Sequence, residues 1–219
     1  MMRYYDKMIN LNEVHSFAQG GNRKCYINPN NPQTCLKVGR QDIIKDIKSK
    51  LPWYKKLRVT KSFDDNLREE QAYKQNAIRN ASSASVWDHL AKWHGMVETT
   101  MGPASETELI QNNNEIAETL ETYLFREGLT KEIIQSISVF EHWLRDYLVL
   151  TKNIIPHNIV IKRDKKLITL KIVDGLGCKS FIPLPKYSKF FAKIYVERRI
   201  KLFWSRIHWD LSGRHGEWK

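Results

Sequence analysis

The chain has 219 residues, 42% hydrophobic and 27% charged, a globular balance that excludes disorder as the starting point and leaves little length for two full domains. With 36 Lys and Arg against 24 Asp and Glu, the formal net charge is +12, which suggests an anionic partner (nucleotide, nucleic acid, acidic glycan or acidic lipid) without choosing among them, against the plain reading of solubility alone. Three cysteines, Cys25, Cys35 and Cys178, form no Cys-x-x-Cys pair and speak against a zinc site and a secreted disulfide framework; with no apolar run of membrane length and no apolar leader, the expectation is a reducing cytoplasm.

In chain order, Val14 to Ala18, Lys24 to Ile27 and Thr34 to Val38 read as three short strands, separated by a turn at Gln19–Asn22 and another at Asn28–Gln33. Asp42 to Lys50 is expected to form a short helix ended by Pro52. Residues 64–79 read as a helix with an acidic first turn, Asp64 and Asp65. Two strands are expected within 86–110, around Gly102 and Pro103. Asn112, Asn113 and Asn114 form a turn and the boundary between an N-lobe, 1–111, and a C-lobe, 112–219. Ile116, Leu120, Tyr123 and Leu124 repeat at helical spacing, as do Ile133, Ile134, Ile137, Phe140, Leu144, Tyr147 and Leu148, which predicts a buried helix. Residues 159–173 read as a hairpin turning at Lys162–Lys166, and 186–209 as a basic, aromatic-rich helix. Strands first and helices after, with one hairpin between, predict an α+β fold with segregated lobes.

Four pieces carry chemistry. Gly20 and Gly21 lie in a strand-turn-strand where a backbone without Cβ can approach a phosphate; taken alone, an ordinary hairpin turn explains them better. Lys37, in the third strand, is placed to reach nucleotide phosphates, against the plain reading of a solvated edge lysine. Glu70 on the following helix is the expected carboxylate partner of Lys37, with Glu69 the competing choice. Asn158, in the run Thr151 to Val160, and Asp174, in Val173-Asp174-Gly175 after the hairpin, offer the amide and carboxylate oxygens that Mg²⁺ prefers.

These pieces, in this order, resemble the protein-kinase-like fold, and more closely the bacterial PhoP regulatory network protein family of the YrbL type. The resemblance is carried by Gly21-Asn22-Arg23-Lys24-Cys25-Tyr26, Cys35-Leu36-Lys37-Val38, Arg68-Glu69-Glu70, Trp93-His94-Gly95-Met96-Val97-Glu98-Thr99, Pro156-His157-Asn158-Ile159 and Val173-Asp174. It implies a single kinase-like domain with a β-rich N-lobe and a helical C-lobe. It also implies that Lys37 and Glu70 orient ATP, Asn158 and Asp174 hold Mg²⁺, Gly20 and Gly21 cover the phosphates, and Glu108 to Ile110 meet the adenine through backbone groups.

Where kinases place a catalytic aspartate, five residues before the metal-binding Asn, this chain has Asn153, which can orient a hydroxyl but not take its proton. Gly175 stands where kinases usually have Phe, the phosphate loop has two glycines, and little chain separates Asp174 from Pro183 for an activation loop. His157 is the nearest titratable substitute base; His15, His94 and His142 read as structural. The resemblance therefore implies an atypical phosphotransferase with Asn153, Lys37 and Asp174 as its working residues and a protein, glycan or small-molecule hydroxyl as acceptor; transfer of AMP also lies within the fold. The competing reading is a pseudokinase-like nucleotide-binding module. A third is a basic adaptor for membrane or nucleic acid, with nucleic acid the lesser because no stacking module is visible.

Residues 181–219 hold nine Lys and Arg against three acids, +6 of the +12. Lys186, Lys189, Lys193, Arg198, Arg199, Lys201 and Arg206 interleave with Phe190, Phe191, Tyr195, Phe203 and Trp204. Such a helix either packs its aromatics inward and solvates its charges, or lies on an anionic membrane surface, at the periphery of the inner membrane.

Overall fold

The computed structural model describes residues 8–40, 65–80, 83–165, 167–179 and 183–218. The helix expected at Asp42 to Lys50 lies outside them. The chain forms two compact units, Met1–Gln71 with Lys92–Leu109, and Ala72–Ala91 with Ile110–Lys219.

The first unit is built on a five-stranded antiparallel sheet in the order β1-β2-β3-β5-β4: β1 Ala18–Gln19, β2 Arg23–Asn28, β3 Asn31–Gly39, β4 Trp93–Thr99 and β5 Gly102–Glu108. The strand expected at Val14 to Ala18 is shorter and later: only Ala18 and Gln19 pair with β2, and both are exposed. Strand β3 sits in the middle, and Thr34 to Val38 are buried in sequence on both faces. Alternation then assigns the faces. Tyr26, Leu36, Val38 and Ala104 share one and pack with Ile9 and Leu11 into an apolar cluster. Arg23, Cys25, Cys35 and Lys37 share the other, opposite Ser105 and Thr107 of β5.

The helix expected over 64–79 appears as two: α1 Asp65–Tyr73 and α2 Asn76–Arg79. On α1 the buried residues Asn66, Glu69 and Tyr73 recur at intervals of three and four, one helical stripe. Ala72 and Tyr73 already belong to the second unit, as does the whole segment to Ala91, which the sequence assigned to the N-lobe. Its side chains explain this: the Tyr73 hydroxyl donates to the Ala91 carbonyl, and the buried His89 ring lies against Phe140 and Trp143.

In the second unit, Asn113 and Asn114 take left-handed backbone (φ 51° and 66°) and close a tight hairpin between β6 Gln111–Asn112 and β7 Glu115–Ile116. Ile116 is therefore a strand residue, not the start of a helix. Helix α3, Leu120–Glu127, begins at an N-cap, Thr119, whose hydroxyl accepts from Thr122 N. Helix α4, Lys131–Tyr147, is capped by Thr130 and ends where Leu148 adopts φ 54°. Ile133, Ile137, Phe140 and Leu144 form its buried stripe, with Phe203 of α5, Lys189–Leu211, edge-on to Phe140. The expected hairpin is β8 Ile159–Asp164 and β9 Leu167–Ile172.

Candidate active site

In the first unit, Lys37 Nζ lies 2.6 Å from Glu69 Oε1, and both side chains are about 95% buried. Here the structure corrects the expected pairing: Lys37 meets Glu69, and Glu70 stands one position round the helix on a half-buried face. The reason is the stripe of α1. Glu69 lies three residues before Ala72 and four before Tyr73, the two buried anchors, so it turns inward with them. A lysine removed from water needs a carboxylate at close range, and Glu69 supplies it.

Arg23, given no role of its own by the sequence, completes the cluster. Its Nη1 lies 2.6 Å from Glu69 Oε2, so one carboxylate serves two cations with separate oxygens. Asn66 braces both, accepting from Arg23 Nη1 and donating to the Lys37 carbonyl. The available signal was position: Arg23 opens β2 directly after Gly20-Gly21-Asn22 and is in phase with Lys37. Beside them the Cys35 thiol lies 3.6 Å from the Thr107 hydroxyl. The neighbouring thiols act on each other, drawing Cys35 down and, with burial, Cys25 up, and the Lys37 ammonium further favours a thiolate.

Gly20 N donates to Arg23 O, closing the turn. A Cβ at Gly21 would meet nothing within 4 Å, and neither glycine has positive φ, so the folded backbone does not itself demand glycine there. At the expected hinge, Glu108 N donates to Lys92 O and Leu109 N to Gln33 O, while Ile110 O accepts from Ala117 N in the second unit. Those backbone groups are engaged within the chain.

In the second unit, Asn153, Asn158, Asp174 and Gly175 are brought together. Lys152 N and Asn153 N both donate to the Gly175 carbonyl, and Val173 N donates to the Asn158 carbonyl. The Asn158 side-chain amide donates to the Asn153 carbonyl at 2.8 Å. Only the NH₂ end can make that bond, so it fixes the amide orientation and leaves Oδ1 as the oxygen turned elsewhere. Asp174 Oδ1 accepts from Gly175 N at 2.6 Å. Gly175 has φ 86°, and a Cβ there would stand 2.4 Å from Asn153 O and 2.9 Å from Asn158 Nδ2. The glycine where kinases have Phe is thus what lets the two segments touch. An oriented amide oxygen beside a carboxylate is a donor set that fits Mg²⁺.

His157 is exposed, and its Nδ1 lies 2.9 Å from Glu121 Oε2 on α3. Glu121 also meets Arg214, and the buried Asp210 of α5 accepts from both Arg206 and Arg214. The loop is further held by Tyr195 of α5, whose hydroxyl donates to Thr151 O and accepts from Lys179 N and Arg199 Nη2.

The family described as PhoP regulatory network protein YrbL matches residues 9–208. YrbL of Escherichia coli (strain K12) and YrbL of Shigella flexneri are each 25% identical over 204 residues, covering 90% of this chain and 86% of those proteins. Among solved structures, Rad53 1-466 in complex with AMP-PNP is similar with a TM-score of 0.50 at 15% identity, over 91% of this chain and 47% of that one. This chain thus spans about half the length of that one. The Mycobacterium tuberculosis PknI kinase domain is similar with a TM-score of 0.44 at 13% identity, over 81% of this chain and 64% of that domain. The fold is α+β and protein-kinase-like. No helix of the described residues is long and apolar enough to cross a membrane.

Proposed function

The chain belongs to the family of the PhoP regulatory network protein YrbL, and on that premise we propose that it is an atypical ATP- and Mg²⁺-dependent phosphotransferase acting on a hydroxyl acceptor. The observation that carries this reading is the way Asn158, Asp174, Gly175 and Asn153 are knitted by side-chain and backbone hydrogen bonds that the hairpin and helices do not need for their own pairing. The AMP-PNP bound by Rad53, a fold relative, supports a nucleotide as the ligand.

In this reading Lys37 orients the phosphates and Glu69, with Arg23 behind it, holds Lys37. Gly20 and Gly21 cover the phosphates, and Glu108 to Ile110 present to the adenine whatever backbone groups their internal bonds leave. Asn158 and Asp174 would hold the metal, which when bound would neutralise charge developing on the phosphates. Asn153 is exposed and positions the acceptor hydroxyl by hydrogen bonding. Positioning and electrostatics supply most of the catalysis in this reaction class, so turnover without a carboxylate base is slow rather than absent. The basic surface suits an acidic acceptor such as a cell-envelope glycan, and a protein hydroxyl is the other class.

Asn153 in the base position also favours a second reading, a pseudokinase-like nucleotide-binding module without catalysis. One experiment separates them: Mg²⁺-dependent ATP binding and ATP turnover by the purified chain beside Asp174→Ala. Metal-dependent binding with slow turnover, both lost in the variant, is the expected result. Binding with no turnover in the presence of candidate acceptors moves the chain to the second reading. No binding by the folded protein removes both.

A further inference from the structure

The last helix was expected either to bury its aromatics and solvate its charges or to lie on a membrane, and the structure divides it. Beyond its second turn it is a packing helix. Val196, Ile200, Phe203 and Ile207 are buried, Arg206 is paired with Asp210, and Trp204 Nε1 donates to Glu141. Its beginning is different. Phe190 and Ile194, 67% and 52% exposed, stand four apart on one face of the helix, and Tyr187, 81% exposed, lies just before it. Lys186, Lys189 and Lys193 are exposed beside them, and the sequence has no Asp or Glu from Leu184 to Val196. Leu184 and Phe191, also exposed, widen the patch. Large side chains so placed lose free energy to water with no return inside the fold.

We propose that this patch docks the protein onto an anionic lipid surface. Three occupants compete for an exposed apolar stripe: a second copy, another protein and a membrane. A second copy would bring lysines against lysines, which costs energy. A protein partner's interface is apolar at its centre, depleted of lysine and charged at its rim. Here lysines supply every charge along the patch, Lys189 and Lys193 forming a row directly beside Phe190 and Ile194. That is the pattern of interfacial helices, in which aromatic and aliphatic side chains enter the headgroup boundary while lysine stems reach phosphates. The opposite side of the same two turns is anchored: Ala192 and Tyr195 are buried with Leu150, and the Tyr195 hydroxyl holds Thr151 O. The face left outward is therefore fixed, not a frayed end. The inference does not depend on nucleotide binding.

The test is flotation of the full chain with vesicles of phosphatidylglycerol and phosphatidylethanolamine, and with vesicles of phosphatidylcholine alone, over a range of salt. Binding to the anionic vesicles that weakens with salt is expected. Lys186→Glu with Lys189→Glu and Lys193→Glu should lower the partition on the order of a hundredfold. Phe190→Ser with Ile194→Ser should lower it at every salt concentration. The same charge change at exposed Lys131, Lys165 and Lys201 should leave most of the binding in place. All these residues are exposed, and circular dichroism with thermal unfolding confirms that each variant folds. Equal binding to phosphatidylcholine, equal loss in the charge control, or no vesicle binding by the folded wild type would each overturn the proposal. So would an acidic amphipathic peptide occupying the patch while vesicles do not.

Discussion

Glu69 holds Lys37 with one oxygen and Arg23 with the other, all three largely removed from water. A buried ion pair adds little net stability over an apolar replacement, but deleting one member strands the others. Glu69→Ala is therefore expected to cost about 3–5 kcal/mol in unfolding free energy, while Glu70→Ala, on a half-buried face, costs about 1 kcal/mol or less. Urea unfolding of the two variants measures this directly, and equal losses would refute the assignment of Glu69 as the shared carboxylate. At this scale Lys37 was legible, because a lysine between Leu36 and Val38 in a strand has to be explained. The choice between neighbouring glutamates was decided by Ala72 and Tyr73, apolar residues three and four positions on that point only Glu69 inward. Arg23 was hidden because an arginine at a strand start reads as solvated; only the pairing of β2 with β3 puts it in phase with Lys37.

Helix α4 shows how a short signal fixes a long element. Thr130 accepts from Ile133 N and also meets the Tyr123 hydroxyl from α3, so one hydroxyl caps one helix and ties it to the preceding one. Thr130→Ala should cost about 1–2 kcal/mol, and Thr130→Ser markedly less, by chemical denaturation. Elements with strong periodicity were legible: the stripe of α4 and the β8–β9 hairpin fall where the sequence put them. The weak ones were not. Ile116 looked helical because it is four residues before Leu120, yet Asn113 and Asn114 impose a hairpin turn that takes Ile116 into a strand. Local turn chemistry overrode a spacing with too few repeats to be decisive.

Stability of the whole molecule carries a pH signature from His89. Burial lowers its pKa, opposed by the hydrogen bond its Nδ1–H donates to Leu170 O, so the folded chain prefers the neutral ring. The unfolded chain takes up the proton near pH ~6.5. The contribution of His89 is thus whole above that pH and is lost as pH falls through and below it, at a slope of at most about 1.4 kcal/mol per pH unit. His89→Asn should show a shallower fall in unfolding free energy on acidification than the wild type. Identical slopes would assign the acid sensitivity elsewhere. His89 was not singled out in the sequence, because its burial depends on Phe140 and Trp143, more than fifty residues away. The same distance in sequence is why the assignment of Ala72–Ala91 to the second unit could not be read beforehand.

The three-way bond at the Tyr195 hydroxyl has a consequence for how the chain is made. Tyr195 follows Thr151 by 44 residues, and it is one of the groups that fix the start of the loop bearing Asn153, beside the bonds from the Gly175 turn. During synthesis the hairpin and its glycine turn can form first, but this last hold on the loop waits until the start of the last helix has left the ribosome. A nascent chain stalled before that helix would carry every residue of the loop and still lack this one anchor. The candidate site is thus completed late, so unfinished chains do not display it in finished form.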